Sequence, residues 1–223
     1  GHPSFKKLQE MAKLGVLPRR LAKCNVPVCS ACQYAKATRR PWRSKTAQHW
    51  NNEHKPTQPG QVVLVDQLVS PTPGLVAQMS GFLTKDRYRY ATVYVVQATS
   101  LGYVHLQKTA SAEETLESKT AFERYAMNHG VVIHAYHADN GIFKANAWVK
   151  ACKPKEQGLT FAAVGAHHSN GKAEQRIREL QEMACTMLIH ANKCWPEAIN
   201  ANLWPYALCY ANNSINAIPN LQD

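Results

Sequence analysis

The sequence predicts an α/β protein with a mixed sheet and helices on both faces. Three observations carry this. Beyond residue 60 the apolar runs are of strand length and rich in Val, Tyr and Ile; the first three follow one another directly; and after them helical and strand periods alternate. Successive strands favour antiparallel pairs, and alternation favours parallel ones, so one sheet holding both is expected.

Taken in order, residues 1–35 open with "GHPSFKKLQEMAKLGVLP", in which Phe5, Leu8, Met11 and Leu14 recur at helical spacing, followed by "KCNVPVCSACQYAK". This segment is too small to hold a core alone. Residues 36–60 are basic, polar and proline-bearing without a hydrophobic period, which reads as an extended linker. The α/β domain spans 61–223. Its strands are expected at "QVVLVDQLV" (61–69), "RYATVYVVQA" (89–98) and "GYVHLQ" (102–107), the last two as a pair. An amphipathic helix follows at 111–130, then a β-rich run "VVIHAYHA", a helix near 142–152 and a short strand "LTFAAV". A long helix from about 170 to 191 and a last helical stretch at 200–216 close the chain, with Pro205 expected to mark a kink. There is no internal repeat.

Composition narrows the function. With 26 Lys+Arg against 15 Asp+Glu the formal charge is +11, which makes a polyanion, and first of all nucleic acid, the expected partner. No apolar stretch reaches the ~18 residues of a membrane span and the N-terminus has no signal-peptide core, so a soluble intracellular protein with no membrane partner is expected. Seven cysteines, several in helical patterns far from one another, argue for reduced thiols rather than a disulfide framework. The chain starts at Gly1 in mid-pattern, as a piece of a longer polypeptide would.

Cys29 and Cys32 form a C-x-x-C pair whose gap lets both thiolates face one tetrahedral metal, and His2 lies a helix-length upstream. Structural zinc takes four ligands, leaving the fourth to Cys24 or to a His before Gly1; a redox pair or two unrelated thiols are the alternatives. A segment so poor in apolar residues needs a staple, which favours Zn²⁺.

Three carboxylates stand out. Asp66 sits inside "VVLVDQLV", where ionisation is costly unless a cation or hydrogen bonds offset it. Asp139 ends the run "VVIHAYHA" and opens Asp-Asn-Gly, itself an ordinary turn in which the acid bonds its own backbone and glycine takes a positive φ. Glu174 borders the apolar stripe Ala173, Ile177, Leu180, Ala184 and Leu188 of the long helix, where a capping box does not account for it; a pair with Arg178 or a favourable first-turn charge would. If the strands of Asp66 and Asp139 are neighbours, both acids face one spot, as a divalent cation requires.

The pieces "GHPSFKKLQEM", "CSACQYAKATR", "VDQLVSP", "HADNGIFKA", "HHSNGKAEQRIRELQEMACTML" and "LWPYALCYANNSIN", in this order, resemble the integrases of Ty1/copia-type LTR retrotransposons over nearly the whole chain. The 34 residues between Asp139 and Glu174 are one short of that family's usual D,D,E spacing. Other departures are His167 and His168 in place of the commoner residue types, Ala35 where glycine is frequent, and the first His of the H-H-C-C zinc pattern, which falls before residue 1.

The resemblance implies a ribonuclease-H-like core that holds two Mg²⁺ or Mn²⁺ ions through Asp66, Asp139 and Glu174 and joins element DNA ends to target DNA. It further implies a partial zinc module at 1–35 with His2, Cys29 and Cys32, a homo-oligomer, other polyprotein products as partners, and a nuclear destination after a cytoplasmic particle stage. Asn170, Lys172 and Arg176 around Glu174, and Arg39, Arg40, Arg43 and Lys45 in the linker, are the expected DNA contacts. The competing readings are a catalytically decayed DNA-binding or assembly remnant, and a ribonuclease H acting on hybrids, against which the C-x-x-C segment and basic linker speak.

Overall fold

The computed structural model describes residues 3–37, 56–76, 84–139, 141–162 and 171–218. Its centre is a five-stranded sheet of order β3-β2-β1-β4-β5, with β1 at Val63–Leu75, β2 at Arg87–Val96, β3 at Gly102–Gln107, β4 at Ala135–Ala138 and β5 at Gly158–Phe161. β1, β2 and β3 pair antiparallel, while β4 runs parallel to both β1 and β5. The expected mixed sheet is therefore present, and alternation along β1 decides what each face carries. Val63 and Val65 point into a core with Tyr94, Phe122, Tyr136, Phe143 and Trp148. Leu64 and Leu68 point into a second core with Val93, Ala173, Leu180 and Leu208.

Helix α3 (Ala112–Asn128) and α4 (Asn146–Cys152) cover the first face; α5 (Gly171–Cys194) and α6 (Trp204–Asn216) cover the second. Ser111 caps α3 by accepting from the Glu114 amide at 3.2 Å, while the Glu114 carboxylate reaches back to the Lys108 amide at 2.7 Å. Pro205 does not kink α6. It stands in the first turn, where its missing N–H is no loss and its fixed φ helps start the helix.

β1 runs further than the expected 61–69, to Leu75, through two prolines. This is tolerated because β4 pairs only with Val63–Val65, so beyond Val65 one edge of β1 needs no amide donors, and a bulge between Val69 and Gly74 absorbs the prolines on the β2 side.

Ahead of the sheet, α1 (Phe5–Lys13), a 3₁₀ turn and α2 (Ser30–Ala35) enclose Met11, Ala12 and Ala31. α2 packs on α5, where the Lys193 ammonium donates to the Ser30 hydroxyl.

Candidate functional site

Sheet register builds the site. Val65 lies beside Ala138 in the parallel β1–β4 pair; the next positions are Asp66, still within β1 and opposite Val93 of β2, and Asp139, just past the end of β4, so the two acids stand at the same level. Asp66 shares the Leu64 and Leu68 face, the one that α5 covers, and Glu174 stands in the first turn of α5. The three acids, far apart in sequence, are thus brought near the point where the β1–β4 pairing ends, Asp139 and Glu174 close enough for their charges to act on Asp66.

The electrostatics register that proximity. Burial pushes the Asp66 carboxyl up to about 6; the Gln67 amide, donating to Oδ1 at 2.8 Å, pulls the other way, and the charges of Asp139 and Glu174 push it up further. Asp139 and Glu174 are both exposed. Among the described residues no three His, Cys, Asp or Glu side chains are drawn together to coordinating distance. The donor chemistry, three hard carboxylate oxygens whose mutual repulsion a divalent cation neutralises, nevertheless fits Mg²⁺ or Mn²⁺.

Asp139 is also a turn residue. Its Oδ1 accepts from the Gly141 amide at 2.9 Å, the Asx pattern. Gly141 is at φ −76°, not at a positive φ; glycine is suited here for space, since a Cβ would sit 3.0 Å from the Asp139 carboxylate. Among the described residues Glu174 makes no ion pair with Arg178.

Arg176 corrects an expectation. It is 6% exposed and its guanidinium donates to the Ser100 carbonyl, so it anchors α5 to the β2–β3 turn instead of standing out beside Glu174. The helical period explains this: Arg176 lies three residues after buried Ala173 and four before buried Leu180, on the core stripe. Lys172 is exposed, its ammonium donating to the Gln97 carbonyl at 3.1 Å. Asn170, the linker residues Arg39, Arg40, Arg43 and Lys45, and His2 lie outside the described residues.

Of the expected zinc ligands, Cys29 and Cys32 stand together. The Cys32 backbone amide is the main influence that lowers the Cys29 thiol, and burial raises that of Cys32. Cys24 is exposed, its thiol turned onto the Arg20 carbonyl at 3.2 Å. One residue that the sequence pattern did not single out is His137. Its Nδ1 lies 2.8 Å from the Thr160 hydroxyl, and its position beside Leu64 puts it on the Asp66 face, two residues before Asp139. Strand alternation was the available signal.

No protein-family model and no curated protein matches the sequence. Among solved structures, a chain of the simian T-cell lymphotropic virus intasome, in complex with PP2A regulatory subunit B56 gamma, aligns with a TM-score of 0.51 at 15% identity over 90% of this chain and 66% of that one. The chain shares its fold with that intasome chain. Further similar structures are the HTLV-2 integrase catalytic core domain in complex with magnesium (TM-score 0.49, 14% identity, 74% of this chain and 90% of that one) and the BIV integrase core (0.48, 17%, 72% and 86%). This chain spans just under two thirds of the intasome chain it matches. Asp66 and Asp139 stand just beyond the central parallel pair, where β1 and β4 stop being joined.

Proposed function

We propose that this chain is the integrase of a Ty1/copia-type retrotransposon, a DNA strand transferase that joins element ends to target DNA. The observation that carries the reading is the convergence on Asp66: one acid beside it across β1 and β4, another above it on α5, and a carboxyl pushed up to about 6 as a result of burial and of those two charges. The integrase-type fold supports it, as does the formal charge of +11.

In this reading Asp66, Asp139 and Glu174 hold two Mg²⁺ or Mn²⁺ ions. Bound, these supply charge stabilisation to the attacking and leaving oxygens of an in-line phosphodiester exchange. The chain's own residues do the positioning. Gln67 and Gly141 each hold one carboxylate oxygen with a backbone amide, so neither acid depends on a flexible partner for its orientation. Lys172, two residues from Glu174, offers a cation to a strand phosphate. The linker residues Arg39, Arg40, Arg43 and Lys45 serve the DNA backbone, and His2, Cys29 and Cys32 hold Zn²⁺ in the N-terminal segment. The protein acts as a homo-oligomer in the nucleus.

The test joins a labelled element-end oligonucleotide to plasmid DNA with Mn²⁺, using full-length protein able to assemble. Asp66→Asn, Asp139→Asn and Glu174→Gln should each lower joining by several orders of magnitude, and combining them should add little, because the acids act as one unit. Wild-type joining by any of the three would remove that residue from the site.

A further inference from the structure

Apart from the acids, α5 also borders a cleft of about 910 Å³, of which the proposed chemistry uses only Lys172. One wall is aromatic. Tyr94 stacks on Phe122 at 4.4 Å, Phe122 meets Tyr103 at 5.7 Å, Tyr103 meets Tyr125 at 5.0 Å, and Tyr125 meets His129 at 4.6 Å. The ladder starts in the core and ends at exposed His129, whose Nδ1 is fixed 2.8 Å from the Tyr125 carbonyl oxygen. Phe122, Tyr125 and His129 all line the cleft. Cations stand on the other elements around it: Lys6 and Lys7 on α1, and Lys172 on α5. Two acids, Glu10 and Glu179, also line it, and with buried Arg176 the cations outnumber them.

An aromatic platform anchored in a core, next to flexible ammonium groups, is the chemistry that takes a nucleotide: every base has a face to stack, and every nucleotide a phosphate to neutralise. A duplex keeps its base faces covered, whereas an unpaired strand presents them. We infer that this cleft binds a single-stranded nucleic-acid segment, with a base against Tyr125 and His129 and phosphates on Lys6, Lys7 and Lys172. This rests on the reading of DNA as substrate and adds a subsite for unpaired nucleotides on the helix that carries Glu174.

The test measures fluorescence anisotropy of a labelled oligothymidylate and of a hairpin duplex. The protein is the full chain carrying Asp139→Asn, so that no joining takes place. His129→Ala should weaken single-strand binding roughly tenfold, as removal of one stacked base does, and leave duplex binding within twofold. His129→Phe should restore it. Lys6→Gln with Lys7→Gln should flatten the dependence of log K on log salt by up to about 0.7 for each phosphate no longer neutralised. Unchanged single-strand binding in His129→Ala would overturn the inference, as would an equal loss for the duplex, or competition by free thymidine monophosphate as strong per nucleotide as by the oligomer. Because binding is read without joining, a failed cleft leaves the strand-transfer reading standing, and inactive acids leave the cleft standing.

Discussion

Asp66 and Asp139 face each other across the end of a parallel strand pair, one position beyond the Val65–Ala138 match, and each gives one carboxylate oxygen to a backbone amide, that of Gln67 and that of Gly141. Turn and charge are therefore separate properties of Asp139, and substitutions can part them.

Asp139→Asn retains an oxygen for the Gly141 amide and should leave stability within about 0.5 kcal/mol of wild type. Asp139→Ala removes the acceptor and should cost about 1 kcal/mol. Urea denaturation at neutral pH measures both. If the alanine variant is as stable as wild type, the Asx turn contributes nothing to folding.

Asp66 predicts a stability that rises as pH falls. Its folded carboxyl titrates at about 6 against an ordinary value of 3.8, so the folded state holds the proton more tightly, and the destabilisation present above pH 6 fades as pH drops towards 4. Allowing for partial exposure, Asp66→Asn should stabilise the metal-free protein by about 1–2 kcal/mol at pH 7.5 and by almost nothing at pH 4. Saturating Mg²⁺ should raise the wild-type melting temperature more than that of the variant. A constant difference between the two proteins across the pH range would show that burial and the neighbouring acids do not raise the Asp66 carboxyl.

Glu123 carries the opposite sign. Burial opposes its ionisation, but Lys119 at 2.6 Å, Lys155 at 2.5 Å, Gln157 at 2.7 Å and Tyr136 at 2.8 Å hold its carboxyl down to about 2. The stability it contributes is complete above its ordinary value of 4.5 and is lost as pH falls towards 2. Glu123→Ala leaves the Lys119 ammonium, 3% exposed, without its carboxylate and should cost about 3–5 kcal/mol; adding Lys119→Met should recover most of it. Thermal melts of the single and double variants decide this, and a double variant no better than the single would count against the pairing.

Gly60 and Gly15 both have positive φ, 81° and 80°, yet substitution should affect them unequally. A Cβ at Gly60 would overlap the Val132 carbonyl oxygen, next to the point where the Gly60 carbonyl accepts from the His134 amide at 2.9 Å. A Cβ at Gly15 meets nothing within 4 Å. Gly15→Ala should cost about 1 kcal/mol, the strain of the left-handed conformation alone, and Gly60→Ala about 2–4 kcal/mol. Equal losses would mean that the close approach at Gly60 relaxes freely.

From the sequence by itself, apolar runs of strand length rich in Val and Tyr placed β1, β2 and β3, because a strand covered on both faces is apolar at successive positions. Asp66 was legible as an acid among residues that seek burial, and Asp139 as the end of a strand. The polar period also located α5 and put Glu174 beside its stripe. Tertiary structure alone decided that β4 lies parallel beside β1, since pairing between strands separated by β2, β3 and α3 leaves no local mark; with that pairing came the meeting of Asp66 and Asp139. It likewise turned Arg176 inward. A guanidinium's charge suggests solvent, but its position on the core stripe and the Ser100 carbonyl within reach outweigh that preference, because a buried charge that finds an acceptor loses less than a helix whose core face is rotated away from the sheet.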